Sequence, residues 1–150
     1  MPDEPSPESC NASGAHTPET LLRRYLPEPG GTGTIPAAAF RPTESDKTGI
    51  SVSYRDRFPK AIGRVLADTH RPAAQYSVCE FDLQESNGLT VEPSPTPADP
   101  GHATIPEICP PYDKLKNSDE RKIRIRSWTV ELSKKAKTIH QAGDSFDAVS

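Results

Sequence analysis

The stretch S-D-E-R-K-I-R-I-R-S-W-T-V-E-L-S-K-K-A-K-T-I, residues 118–139, decides the fold class because it holds the longest periodic pattern in the chain. From Ser118 as N-cap, its apolar side chains fall within an arc of about 80°, as in a helix packed on a core. These side chains are Ile125, Trp128, Leu132, Ala136 and Ile139. The alternation K-I-R-I-R at 122–126 is typical of a strand, but the helical register is longer. We therefore predict an amphipathic C-terminal helix that covers a sheet.

Short apolar runs upstream of this helix supply the sheet. Residues 76–83 are the best candidate for a central strand, because both faces of the run are partly apolar. Residues 37–52 are typical of an irregular hairpin with a short strand at each end, and H-A-T-I at 102–105 indicates a further strand. Apolar spacing predicts a helix at 59–69. The fold class is therefore α+β, with a small, mostly antiparallel sheet of four to five short strands.

The ends of the chain differ in composition from its middle. Residues 1–18 are acidic and rich in Pro and Ser, so we expect a disordered acidic tail. Thr17 and Pro18 suit the start of a short helix over 17–26. The length of 150 residues fits one domain, which we place at 19–139, followed by a flexible C-terminal tail at 140–150.

The three cysteines are odd in number and widely spaced, and neither they nor the four histidines show zinc-like spacing. We expect no metal and no cofactor. Free thiols fit a reducing compartment, and the chain contains no run of 18 apolar residues and no secretory signal pattern. These features predict a cytoplasmic protein that does not enter a membrane.

Four polar residues form the candidate catalytic or binding set. Arg41, Asp46 and Ser51 lie around one predicted hairpin, and His102 begins a predicted strand directly after a proline-rich loop. Arg is the preferred residue for bidentate contacts to phosphate or carboxylate, and a neutral His can act as acid or base. A purely structural interpretation is also open, in which Asp46 makes the turn and pairs with Arg41, Gly49 supplies a positive φ, and backbone groups satisfy His102.

The last helix concentrates positive charge. Residues 114–137 carry a net charge of +6, whereas the whole chain carries −3. The candidate partner-binding residues lie on the face opposite the apolar stripe: Lys122, Arg126, Lys134 and Lys137. Such a face suits a protein partner with an acidic surface, and nucleic acid is the less favoured partner because the chain is acidic overall and its aromatic residues are not interleaved with the basic run. A solvated face is the ordinary alternative.

Two further patterns are too weak to indicate a function. P-G-G-T-G-T-I-P at 29–36 lacks the Lys and the helix that a phosphate-binding loop requires. Arg64 and His70 match the R-x4-6-H motif of HEPN ribonucleases in spacing, but that fold is all-helical, and 17 prolines disfavour such a fold here.

Three segments together resemble a group of small bacterial proteins with no established activity. They are F-R-P-x3-D-x2-G-I-S-V at 40–52, N-G-L-x-V-x-P at 87–93 and P-G-H-A-x-I at 100–105. The resemblance implies that Arg41, Asp46, Gly49, Ser51 and His102 belong to the group's signature. It leaves out the acidic tail and the basic helix.

Two functional hypotheses follow. The first is a noncatalytic accessory or interaction module whose basic C-terminal helix contacts an acidic partner. The second is a small enzyme or binding domain for an anionic small molecule or RNA, with Arg41 as anion clamp, His102 as acid or base, and Ser51 or Asp46 as orienting group. The second requires Arg41 and His102 to reach one pocket.

Overall fold

The computed structural model describes residues 19–28, 34–43, 46, 48–67, 69–83, 88–109 and 118–147. Within these residues the chain forms a six-stranded sheet of order β4-β5-β2-β1-β3-β6, and every pairing is antiparallel. The strands are β1 (Leu21–Tyr25), β2 (Ile50–Tyr54), β3 (Ser77–Phe81), β4 (Glu92–Pro93), β5 (His102–Ile105) and β6 (Lys137–His140). The helices are α1 (Ala61–Val65) and α2 (Ser118–Lys135), with 3-10 turns at Ala37–Phe40 and Ala73–Gln75. The α+β class is confirmed, and the sheet has one strand more than the largest number expected.

One face of the sheet packs against α2 and the first 3-10 turn. Phe40 and Leu132 are fully buried in this core, and Phe40 meets Phe81 edge to face at 5.1 Å between ring centroids. Ile125 is buried there too, and Trp128 packs against the same cluster. Each large apolar side chain buried in this way stabilises the fold by roughly 1.5–3 kcal/mol. The predicted helix that covers the sheet is therefore present.

The opposite face is covered in part by α1. Its smaller core consists of Leu22, Val65, Leu66 and Val78, with Phe146 packed against it. Adjacent side chains of a strand point to opposite faces, so Leu21 enters the first core while Leu22 enters the second. Because two cores share one sheet, its central strands bury side chains on both faces and show no simple alternation of apolar and polar residues.

The helix expected over 17–26 is wrong in the part that the structure describes. Residues Leu21–Tyr25 form β1, which lies between β2 and β3 in the middle of the sheet. Pairing on both sides and burial on both faces outweigh the helix-start signal of Thr17 and Pro18, since local propensity is a weak prior against tertiary packing. Residues 1–18 lie outside the described residues.

The first strand of the hairpin predicted over 37–52 is also wrong. Ala37–Phe40 forms a 3-10 turn after Pro36, with the N–H of Ala39 bonded to the Pro36 carbonyl at 3.0 Å. Alanine favours helical backbone, and a preceding proline suits the start of such a turn. The second strand of that hairpin is present as β2, and the strands expected at 76–83 and 102–105 are present as β3 and β5. The helix expected at 59–69 is shorter and spans Ala61–Val65.

The C-terminal helix begins at Ser118, as expected, but it ends at Lys135 rather than at residue 139. Residues Lys137–His140 form β6 on the outer edge of β3, so the helical placement of Ala136 and Ile139 is wrong, and Ile139 is exposed. Pairing with β3 satisfies backbone groups that the edge would otherwise leave without partners. Of the residues expected in a flexible tail, His140 is buried, and its ring meets Phe146 edge to face at 5.5 Å.

Neither described helix offers an apolar stretch long enough to cross a membrane.

Candidate functional site

The centre of the sheet contains a break between β1 and β2. Their ladder holds only two residue pairs, Leu21 with Tyr54 and Leu22 with Ser53. Beyond it, the Arg23 guanidinium donates from Nε to the Ala39 carbonyl at 2.6 Å and from Nη1 to the Ser51 carbonyl at 2.7 Å. The side chain thus supplies donors that a neighbouring strand would otherwise supply.

A cleft of about 600 Å³ opens beside this break. Its walls come from β1, β2, the start of β5, α1, the described residues of the segment between the first 3-10 turn and β2, and the loop at 96–99. All four residues of the candidate set lie on these walls: Arg41, Asp46, Ser51 and His102. Arg41 and Asp46 come from the segment before β2, Ser51 from β2 itself and His102 from β5, so the antiparallel pairing of β2 with β5 joins the two halves of the set.

The charge that lines the cleft is mainly positive. Four arginines, two aspartates and two histidines contribute: Arg23, Arg24, Arg41, Arg64, Asp46, Asp99, His70 and His102. Burial lowers the pKa of Arg23, and the nearby Asp46 carboxylate partly opposes this effect. Arginine remains protonated in proteins even when its pKa falls, so Arg23 keeps its charge. The cleft therefore favours an anion.

Arg41 differs from the other arginines of the cleft because none of its guanidinium donors is used within the described part of the chain. It follows the 3-10 turn, its side chain is exposed, and within the described residues its guanidinium makes no hydrogen bond or ion pair. The pairing with Asp46, which belonged to the structural interpretation, is absent from the described residues. Asp46 Oδ2 instead accepts hydrogen bonds from the N–H of Thr43 at 2.7 Å and from Thr43 Oγ1 at 3.1 Å. Because the hydrogen bonds from Thr43 already stabilise the negative charge of the Asp46 carboxylate, an ion pair with the Arg41 guanidinium is not required.

The turn after Asp46 fixes the start of β2. The N–H of Gly49 donates to the Asp46 carbonyl at 3.0 Å, and Gly49 has the expected positive φ, of 120°. A Cβ at Gly49 would lie 2.3 Å from the carbonyl oxygen of Ile105. Only glycine fits this position, which sets the register of Ile50 against Ile105 and so places Ser51 at the cleft.

His102 is held by one neighbour on one side of its ring. Nδ1 lies 2.9 Å from both the carbonyl oxygen and Oγ of Ser94. The N–H of Ser94 in turn donates to the His102 carbonyl at 2.9 Å. The imidazole, which is half-buried, is thereby oriented with one edge toward the protein.

Arg64, which matched the ribonuclease spacing, has a structural role. Its side chain is buried and donates to Ser53 Oγ, Asp99 Oδ1 and the Pro59 and Phe58 carbonyls, each at 2.8 Å. Longer bonds reach the carbonyls of residues 54 and 55. The hydrogen bonds of the Arg64 guanidinium are therefore satisfied by the residues that form this wall of the cleft. His70 lines the same cleft, but Arg64 has no donor left for a joint catalytic role with it.

Sequence reasoning missed Arg24 and Tyr76, which also line the cleft. Arg24 Nη1 donates to the Val65 carbonyl at 2.7 Å and to the Ala67 carbonyl at 3.2 Å, and the guanidinium carbon lies 5.7 Å from the centre of the Tyr76 ring. Two adjacent arginines after two leucines could have indicated a central strand with a cation on each face. Because that segment was predicted to be a helix, the pattern was not interpreted as a strand.

Cys79 is fully buried and lies beside Arg23. Burial raises the pKa of Cys79 to about 12, partly opposed by the charge of Arg23, so this thiol stays neutral near pH 7. Within the described ranges, no three His, Cys, Asp or Glu side chains are close enough to hold a metal ion.

The basic face of α2 lies apart from the cleft. Lys122, Arg126 and Lys134 are exposed on the helix, whereas Lys137 is exposed on β6. Two apolar side chains lie among them, Ile123 with 69% of its surface exposed and Val130 with 37%. The expected charged face is therefore present, although its last member belongs to a strand.

No protein-family model, curated protein or solved structure matches this chain. The resemblance to small bacterial proteins stays a prediction. Function must therefore be inferred from the cleft and the helix face themselves.

Proposed function

We propose that this protein binds a small anionic molecule in the cleft between β1, β2 and β5. The observation that supports this is the convergence of Arg41 and His102, 61 residues apart in the chain, on one cleft whose charged side chains are mainly cationic. Arg41 is the anion clamp in this proposal, because its guanidinium is exposed and has no acceptor among the described residues.

Arg23 and Arg24 add positive charge to the cleft without contacting the ligand in this proposal. Each donates to two backbone carbonyls, which hold the side chain but do not neutralise its charge, whereas the charge of Arg64 is paired with Asp99. The positive potential therefore persists in the cleft and attracts an anion. Ser51 and Asp46 lie on the same walls and orient the polar groups of the ligand.

The size of the cleft favours a small molecule over RNA. Small-molecule sites occupy roughly 300–1,000 Å³, and the cleft volume of about 600 Å³ lies within that range. A polynucleotide needs a continuous basic groove, and the chain as a whole carries a net charge of −3.

An NMR titration with pyrophosphate and with citrate tests this proposal. We expect saturable shifts of the Arg41 side-chain and Ser51 backbone signals, and an affinity at least tenfold lower in Arg41→Gln, since a charge-assisted hydrogen bond contributes about 1.5–3 kcal/mol. Arg124→Gln is the matched control, because Arg124 is exposed on α2 away from the cleft. Equal weakening by both variants would show a nonspecific charge effect, and the absence of shifts at the cleft would refute the proposal. If RNA shifts these signals instead, the ligand class is wrong.

A second function is favoured by the face of α2 that carries Ile123 and Val130. Apolar side chains exposed among cations suit an acidic, amphipathic segment of a partner protein, since apolar contacts hold the segment and charges orient it. We propose that this face, with Lys122, Arg126, Lys134 and Lys137, forms such a protein-interaction surface.

The test of this surface compares two charge-reversed proteins. One carries Glu at Lys122, Arg126, Lys134 and Lys137, and the control carries Lys60→Glu and Arg71→Glu, at exposed cations elsewhere. We expect the first change alone to abolish the binding of a captured partner, and Ile123→Ser to weaken it without altering charge. An unchanged set of partners would contradict this function. Retention of nucleic acid that falls steeply with salt would identify a different partner class.

We also propose that the protein is cytoplasmic. The described cysteines, Cys79 and Cys109, are unpaired and buried, which fits a reducing compartment.

A further inference from the structure

The orientation of His102 determines which of its ring nitrogens carries the proton. A peptide carbonyl can only accept a hydrogen bond, and Nδ1 lies 2.9 Å from the Ser94 carbonyl oxygen. In the neutral imidazole, Nδ1 must therefore be the donor. Nε2 then carries the lone pair and is an acceptor.

This acceptor is available to a ligand. His102 lines the cleft and is half-buried, and Nε2 has no hydrogen-bond partner among the described residues. Ser94 holds the opposite ring edge through its carbonyl and hydroxyl, and the backbone bond from Ser94 to His102 fixes the two residues together. The acceptor is thus preorganised on a strand.

The arginines and aspartates of the cleft differ from Nε2 in what they can recognise. The arginines only donate, so they detect negative charge but cannot recognise a donor group on the ligand. Asp46 is an alternative acceptor, but its Oδ2 is already bonded to Thr43. Asp99 Oδ1 accepts from Arg64 and from the N–H of Gly101.

We propose that the ligand of the cleft is a small anion that also carries a hydroxyl or amino group, and that His102 selects it by accepting a hydrogen bond from that group at Nε2. The inference rests on the proposed binding function and deepens it. Arg41 recognises the charge, whereas His102 distinguishes a substituted anion from its plain analogue, because an unmade hydrogen bond at a partly buried acceptor is costly.

The first test needs no ligand. Long-range proton–nitrogen correlation spectra of protein with ¹⁵N-labelled histidine report the tautomer of each imidazole. At a pH where His102 is neutral, we expect the proton on Nδ1. A proton on Nε2 would overturn the inference, whatever the cleft binds.

The second test uses anions that differ only in donor groups. The phosphate pair is glycerol 3-phosphate and propyl phosphate, and the carboxylate pair is mandelate and phenylacetate. We expect the hydroxylated member of a pair to bind about five- to tenfold more tightly, as one hydrogen bond allows. The pair that binds more tightly identifies the anionic group.

Variants then assign the preference to a residue. In His102→Phe we expect both members of a pair to bind equally, whereas Arg124→Gln, on α2 away from the cleft, keeps the preference. His102→Gln serves as the milder variant if Phe disturbs β5, and a reduced preference is expected there. Equal binding by the unaltered protein, or a preference that survives both His102 variants, would overturn the role of His102. Failure of every anion to bind would instead refute the binding function itself.

Discussion

Removal of the Asp99 carboxylate should destabilise the protein strongly, because it separates the two charges of a buried ion pair. Asp99 and Arg64 are each at least 95% buried, with 2.8 Å between Oδ1 and Nη1. Breaking such a pair costs about 3–5 kcal/mol, since the remaining charge stays buried. Arg64 keeps its carbonyl and hydroxyl acceptors, which places the cost near the lower limit, but the N–H of Gly101 also loses its acceptor. We therefore expect Asp99→Ala to lower the free energy of unfolding by about 3–4 kcal/mol.

Urea unfolding followed by the fluorescence of Trp128 measures this loss as a lower midpoint at an unchanged slope. The exposed ion pair between Arg57 and Glu19 provides the matched control. Glu19→Ala should cost less than about 1 kcal/mol, because exposed pairs contribute little. Asp99→Asn, which can still accept from both N–H groups, should fall between the two. A loss below about 1 kcal/mol in Asp99→Ala would refute the view that this pair builds the wall of the cleft.

Two further predictions concern the turn before β2 and the buried thiol. Gly49→Ala should lower the free energy of unfolding by about 3 kcal/mol or prevent folding, because its Cβ would meet the Ile105 carbonyl. Gly143 also has a positive φ but lies in open space, so Gly143→Ala should lower it by about 1 kcal/mol. Thermal unfolding compares the two variants. For Cys79, the folded-state pKa of about 12 exceeds the reference value of 9.0, so the unfolded chain loses its proton first. The stability that Cys79 contributes is therefore complete below pH 9 and decreases from there to about pH 12. Urea unfolding across this range should show a shallower decrease in Cys79→Ala, and identical slopes would contradict the assignment.

Helices and strands whose sequence pattern does not depend on their neighbours were predictable from the sequence. The buried stripe of α2 repeats at helical spacing, and β3 is apolar on both faces, so both elements can be identified without knowledge of their neighbours. β1 and β6 depend on context. L-L-R-R-Y becomes a central strand because two cores cover it, and K-T-I-H leaves the helical register because it pairs with the edge of β3.

The residues of the candidate site likewise divide into those that were predictable from the sequence and those that were not. Arg41, Asp46 and His102 were indicated by turn chemistry and by side chains that suit anions, and the structure brings them to one cleft. Arg23 and Arg24 were not identified, because their segment was assigned to a helix, in which adjacent residues do not lie on opposite faces. The pairing of β1 with β2 and β3 over residues far apart in the chain created their positions, and no local pattern encodes such pairing.

The number of acceptors around each arginine separates structural from binding roles in this cleft. Arg64 donates to six acceptors and Arg23 to two carbonyls, so moving either toward a ligand would break bonds that hold the walls. Arg41 has no such bonds among the described residues and can reorient at the cost of side-chain entropy alone. His102 combines both conditions in one ring, with Nδ1 committed to Ser94 and Nε2 uncommitted. The proposed ligand would therefore gain most at Arg41 and His102, where binding breaks no bond with the described residues.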